Sequence, residues 1–161
     1  NGKSTLKLTG SSNSTLALPS GTRIVHCGSP VDGVSRVFVL VKLGSSYSVK
    51  WNSAPGAPSG KANLPSRPKK FTPSGIGSLP RASGQPVPFS FGRQGAAQAL
   101  YVLGSGGKWQ SLSLSGVPPG AKIVDGRGIL IGSSNLVLLQ IKSGNTFTYK
   151  TVTVPANILG G

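Results

Sequence analysis

The sequence predicts an all-β protein, and three observations carry that expectation. Short apolar runs recur along the whole chain, several with the period-two alternation of strands. Gly (24 residues) and Pro (13 residues) are abundant, and both break helix interiors. Gly/Ser-rich turns join successive runs, as hairpins require. The expected architecture is one domain over residues 1–161, an antiparallel β-sandwich of jelly-roll-like form. A β-trefoil or another barrel of repeated hairpins is the alternative.

The elements follow in order. Ser4-Thr5-Leu6-Lys7-Leu8 and Ser14-Thr15-Leu16-Ala17-Leu18 alternate around the turn-like Thr9–Asn13. Thr22–Cys27 predicts a strand, and Gly28–Ser35 a loop. Arg36–Leu43 is apolar on both faces, which predicts a central strand. Gly44-Ser45-Ser46 then turns the chain into Tyr47–Trp51. Residues 52–97 hold eight of the 13 prolines and Lys61, Arg67, Lys69, Lys70, Arg81 and Arg93, with no acid. Proline removes backbone donors and favours extended, unpaired chain. This segment is therefore expected to be an irregular, Pro/Gly-rich basic insertion or arm. Strands resume at Gln98–Leu103 and Lys108–Leu114, around Gly104–Gly107. Ala121–Val124, Gly128–Ile131, Leu136–Ile141 and Phe147–Val154 complete the chain.

An internal echo runs through the two β-rich parts. Ser14-Thr15-Leu16-Ala17-Leu18-Pro19-Ser20-Gly21-Thr22-Arg23-Ile24-Val25 resembles Ser111-Leu112-Ser113-Leu114-Ser115-Gly116-Val117-Pro118-Pro119-Gly120-Ala121-Lys122-Ile123-Val124. Each leads through a Gly-rich stretch holding one aspartate into a long apolar strand, a Gly/Ser turn and an aromatic-bearing strand. Repeated β units would show such a pattern.

The charge is one-sided. Seventeen Lys and Arg face two acids, Asp32 and Asp125, for a net charge of +15. Nearly all the cations therefore lack an internal carboxylate, and an anionic partner is expected: nucleic acid, an acidic glycan, an anionic membrane or an acidic protein. The cations are scattered, so a basic surface must be assembled by folding. The expected polyanion contacts are Arg67, Lys69, Lys70, Lys61, Arg81 and Arg93. Lys50-Trp51 and Lys108-Trp109 pair a cation with an aromatic and are further candidate contacts.

Catalytic chemistry has little to work with. One His, one Cys, two Asp and no Glu make up the titratable set near neutrality. Asp32-Gly33 and Asp125-Gly126 look like turn residues in loops. His26 could join a Ser-His-Asp set, but no Gly-x-Ser-x-Gly nucleophile motif is present. Cys27 is expected to be a small buried thiol. No metal-ligand spacing occurs, so neither catalysis nor a cofactor is expected. No run of about 20 apolar residues spans a membrane. The chain lacks Met, which leads one to expect a processed product or the ordered part of something longer.

A basic, helix-poor, Ser/Thr/Gly/Pro-rich composition resembles that of small-virus and phage coat proteins and of β-rich adhesins. It implies a virion structural subunit, capsid or surface, whose basic side faces nucleic acid or neighbouring subunits. The alternatives are a non-catalytic module for acidic glycans and a single-stranded nucleic-acid binder. Either way the expected setting is the virion or the cell exterior, with homo-oligomers or other virion subunits as partners.

Overall fold

The computed structural model describes residues 4–8, 14–28, 37–52, 60–65, 70–82 and 84–160. It is all-β and antiparallel. The strands are β1 (Ser4–Leu8), β2 (Ser14–Leu18), β3 (Arg23–Cys27), β4 (Val37–Leu43), β5 (Ser46–Asn52), β6 (Gly60–Asn63) and β7 (Phe71–Leu79). They continue with β8 (Val87–Gln94), β9 (Ala97–Leu103), β10 (Trp109–Leu112), β11 (Lys122–Ile131), β12 (Ser134–Ser143) and β13 (Thr146–Val154). A single helical turn, α1 (Ala156–Leu159), closes the chain and buries Ile158 and Leu159.

Among the described residues every pairing joins neighbours in sequence. The sheets are β1-β2, β3-β4-β5-β6, β7-β8-β9-β10 and β11-β12-β13. These are up-and-down meanders; the Greek-key crossovers of a jelly roll are not among the described pairings. Alternation sorts each strand's residues onto two faces, and the faces stack in layers. Leu16 and Leu18 of β2 cover Val39 and Val41. Phe38, Leu40 and Val49 on the opposite face of that sheet meet Phe71, Ile76 and Tyr101 of the next. Phe89, Phe91, Leu100 and Val102 on its far side meet Val137, Leu139, Ile141 and Val152 of the third sheet. β4 is therefore central in its sheet and buried on both faces, as its composition predicts.

The proline-rich segment departs from expectation. Its described residues include β6, β7 and β8, so these parts are sheet and not irregular arm. Proline fits because of where it falls. Pro73 lies on edge strand β7 at a bulge between Pro73 and Gly75, and Pro88 lies where β8 has β7 but not yet β9 as partner. Edges and bulges are the positions where a missing N–H is tolerated. Glycines do the rest. Gly75 pairs with Phe91 and Gly77 with Phe89, and each aromatic ring lies where a Cβ would stand. Gly128 on β11 brings the third sheet against the Ser78 carbonyl with the same lack of room.

The echo is structural. Thr22 N–H donates to Pro19 O at 3.1 Å, and Ala121 N–H to Pro118 O at 3.1 Å. Gly21 and Gly120 carry φ of 76° and 78°, the positive value that the third residue of a type II turn needs. A bulge follows both turns, between Ile24 and His26 and between Ile123 and Asp125. The β4–β5 and β12–β13 hairpins both turn on a positive-φ glycine, Gly44 and Gly144. Lys42 Nζ lies 5.4 Å from the Tyr47 ring centre, and Lys142 Nζ 5.4 Å from that of Phe147. The β8–β9 hairpin repeats the turn at Gly95, with Arg93 two residues before it.

Candidate functional site

β5 and β6 pair so that Lys50 stands directly opposite Lys61. Like charges in opposed positions destabilise a sheet, and no carboxylate lies among the described residues around them. On the same face Ser48 pairs with Asn63, so this half of the sheet is polar where its β4 half is apolar. Beside the hairpin β1–β2 these residues floor a groove of about 760 Å³. Lys70, Tyr47, Ser45, Ser46 and Thr22 complete its polar lining, with Leu43 and Leu64 as apolar walls. The Thr22 Oγ1 atom is buried without a hydrogen-bond partner. Three cations, several hydroxyls, an amide and two aromatics, Tyr47 and Phe71, thus converge on one concavity. That donor set recognises an anion carried on a hydroxyl-rich body.

Two smaller grooves follow, the first sharing lining with the large groove and the second with the first. Lys61 also lines one of about 580 Å³ with Trp51, Asn63, Arg81, Gln85 and Ser105. Arg81 also lines one of about 410 Å³ with Ser133, Ser134, Asn135, Thr153 and Leu159. In that last groove the Asn135 Oδ1 is buried without a partner.

The structure brings some expected residues together and separates others. Lys50, Lys61 and Lys70 share the large groove, and Arg81 shares the middle groove with Lys61. Trp51 lines that middle groove and packs on Phe38 at 5.9 Å between ring centres, with Gly60 opposite it making room. Arg93 sits exposed on β8 opposite Gln98 and lines none of these grooves. Lys108 is exposed, and its Trp109 neighbour packs on the core between the first two sheets, away from the grooves. The Trp109 Nε1 is buried without a partner. Arg67, Lys69 and Asp32 lie outside the described residues. Sequence reasoning missed Thr22 and Asn135, because only the fold places them on these grooves.

The titratable residues that drew attention are engaged elsewhere. His26 is half-buried; its Nδ1 accepts the Ile76 N–H at 3.3 Å, tying β3 to β7, and its ring meets Phe91 edge-on at 6.3 Å. Asp125 stands in strand β11 at the bulge and not in a loop, and its Oδ1 accepts the Gly126 N–H at 2.8 Å. Cys27 is exposed and not buried. The protein around its thiol still desolvates the thiolate and holds the pKa above its ordinary value. Among the described residues no three His, Cys, Asp or Glu cluster to hold a metal ion. No helix among them is long and apolar enough to cross a membrane.

No family model, curated protein or solved structure matches this chain.

Proposed function

We propose that the protein is a non-catalytic binding module whose large groove takes an acidic glycan, in an extracellular or virion-surface setting. One observation carries the proposal: Lys50 and Lys61 are held face to face, with Lys70 across the same groove and no carboxylate among the described lining residues. An isolated pair of opposed lysines costs stability, and an anion between them turns that cost into attraction. The polar lining favours a sugar over a bare phosphate chain. Ser45, Ser46, Ser48, Thr22 and Asn63 match hydroxyl groups, and Tyr47 and Phe71 line the groove with aromatic rings.

The test is calorimetric titration with a sulfated uronic-acid disaccharide and its desulfated counterpart. Wild-type protein is expected to bind the sulfated form and lose most of that affinity for the desulfated one. Lys50→Gln with Lys61→Gln is expected to weaken binding by about tenfold or more, the scale of one charged hydrogen bond. Equal binding of both sugars, or no effect of the double substitution, would sink the assignment.

A virion subunit is the second reading, and the third sheet favours it. Its outer face leaves Phe147 (52% exposed), Tyr149 (67%) and Ile131 (62%) in the open, where a neighbouring copy would cover them. Native mass by light scattering at low and high salt separates the two. A closed assembly supports the subunit; a monomer at both salts leaves the binding module alone.

A further inference from the structure

We infer that the ligand is a linear acidic glycan of several residues, laid across all three grooves as one track over the free edge of β6. The inference rests on the glycan-binding proposal above and extends it from one groove to a path.

The path is set by shared walls. Among the described residues β6 is the edge strand of its sheet, and its outer backbone groups have no strand partner among them. Lys61 on β6 lines both the large groove and the middle one. Arg81 lines both the middle groove and the small one. The order Lys70, Lys50, Lys61, Arg81 is thus a chain of cations passing from groove to groove. No carboxylate interrupts it among the described lining residues. A cation at each junction is what a repeating anion needs, since every monomer then meets a charge. A single bound monosaccharide would leave Arg81 unused.

The two ends add a separate sign. Thr22 Oγ1 in the large groove and Asn135 Oδ1 in the small one are buried polar atoms with no hydrogen-bond partner. Such atoms are costly when left unsatisfied. The Asn135 oxygen accepts and does not donate; turned into the groove that its residue lines, it would pair with a ligand hydroxyl. Sugar rings carry hydroxyls beside their anionic groups; a DNA backbone carries none. That chemistry favours a glycan over DNA for the same cations.

A heparin series from disaccharide to octasaccharide tests the track by calorimetry, with the octasaccharide-to-disaccharide affinity ratio as the readout. In wild-type protein the ratio is expected to exceed tenfold, beyond the few-fold gain of counting equivalent frames on a longer chain. Arg81→Gln is expected to collapse it at least fivefold, and Arg81→Lys, which keeps the charge, to retain most of it. Arg93→Gln, off the track, is expected to leave the ratio alone. The track is overturned if Arg81→Gln leaves the ratio intact, or if Arg93→Gln lowers it as much. Failure of even the disaccharide to bind would instead remove the groove proposal beneath it. Tighter binding of an oligo-dT of matching charge, lost equally in Arg81→Gln, would overturn the glycan in favour of single-stranded nucleic acid.

Discussion

Lys50 and Lys61 oppose each other across β5 and β6, so the same two side chains should lower stability when free and raise it when an anion is bound. Lys61→Gln is expected to raise the unfolding free energy of the free protein by a few tenths of a kcal/mol, the size of a cross-strand pair term. Chemical denaturation checks this. Cys27 carries a second residue-scale prediction. Desolvation raises its pKa, so the thiolate forms at higher pH than in a free cysteine, and the thiolate is the nucleophile. The rate of iodoacetamide alkylation should therefore rise with a midpoint above that of a cysteine peptide; a midpoint at or below it contradicts the structure. At this scale the sequence was partly legible. It singled out Lys61, Lys70 and Arg81 because no acid accompanies them in their segment, and Lys50 because Trp51 follows it. It also picked Arg93 and Lys108, since linear sequence does not show which face of which strand meets which neighbour. Cys27 looked buried because its strand is apolar, but it falls at the exposed end of β3.

The elements of both flanking parts were readable from alternation and turn chemistry, and β4 was recognisable as central from its two apolar faces. β11 looked like two short strands, because Asp125-Gly126 imitates a turn; in the fold it is a bulge inside one strand. The proline-rich segment was the larger miss. Proline spacing suppresses the strand signal, while the features that rescue β7 and β8 are pairwise: Gly75 under Phe91 and Gly77 under Phe89. Such glycine–aromatic pairs register a strand only once the partner is known. They also predict sensitivity. At Gly128 an added methyl meets the backbone of Ser78 and Leu79, which cannot rotate away. Gly128→Ala is expected to destabilise by about 1–3 kcal/mol, as overpacking does. At Gly106, where a Cβ meets nothing, the same change should be near neutral. Thermal unfolding of the two variants compares them directly.

At the scale of the whole molecule, three meanders stack so that the middle sheet is covered on both faces and the first is covered outside by β2. The internal echo was legible as a sequence match at Pro19 and Pro118, and its turn, bulge and Lys–aromatic contact recur in space. The layering was not legible, since nothing local states which sheet faces which. The net charge of +15 acts at this scale too. Occupying Lys50, Lys61 and Lys70 with a flexible polyanion should release counterions, giving a log-affinity against log-salt slope of about −2. The measurement that tests the groove most directly is the thermal midpoint of wild type and of Lys50→Gln/Lys61→Gln, each with and without heparin hexasaccharide. The structure predicts a crossing: the free double variant melts at or above wild type, while the sugar stabilises wild type and leaves the variant unmoved. Equal stabilisation of both proteins by the sugar, or of neither, would contradict the assignment of this groove as the binding site.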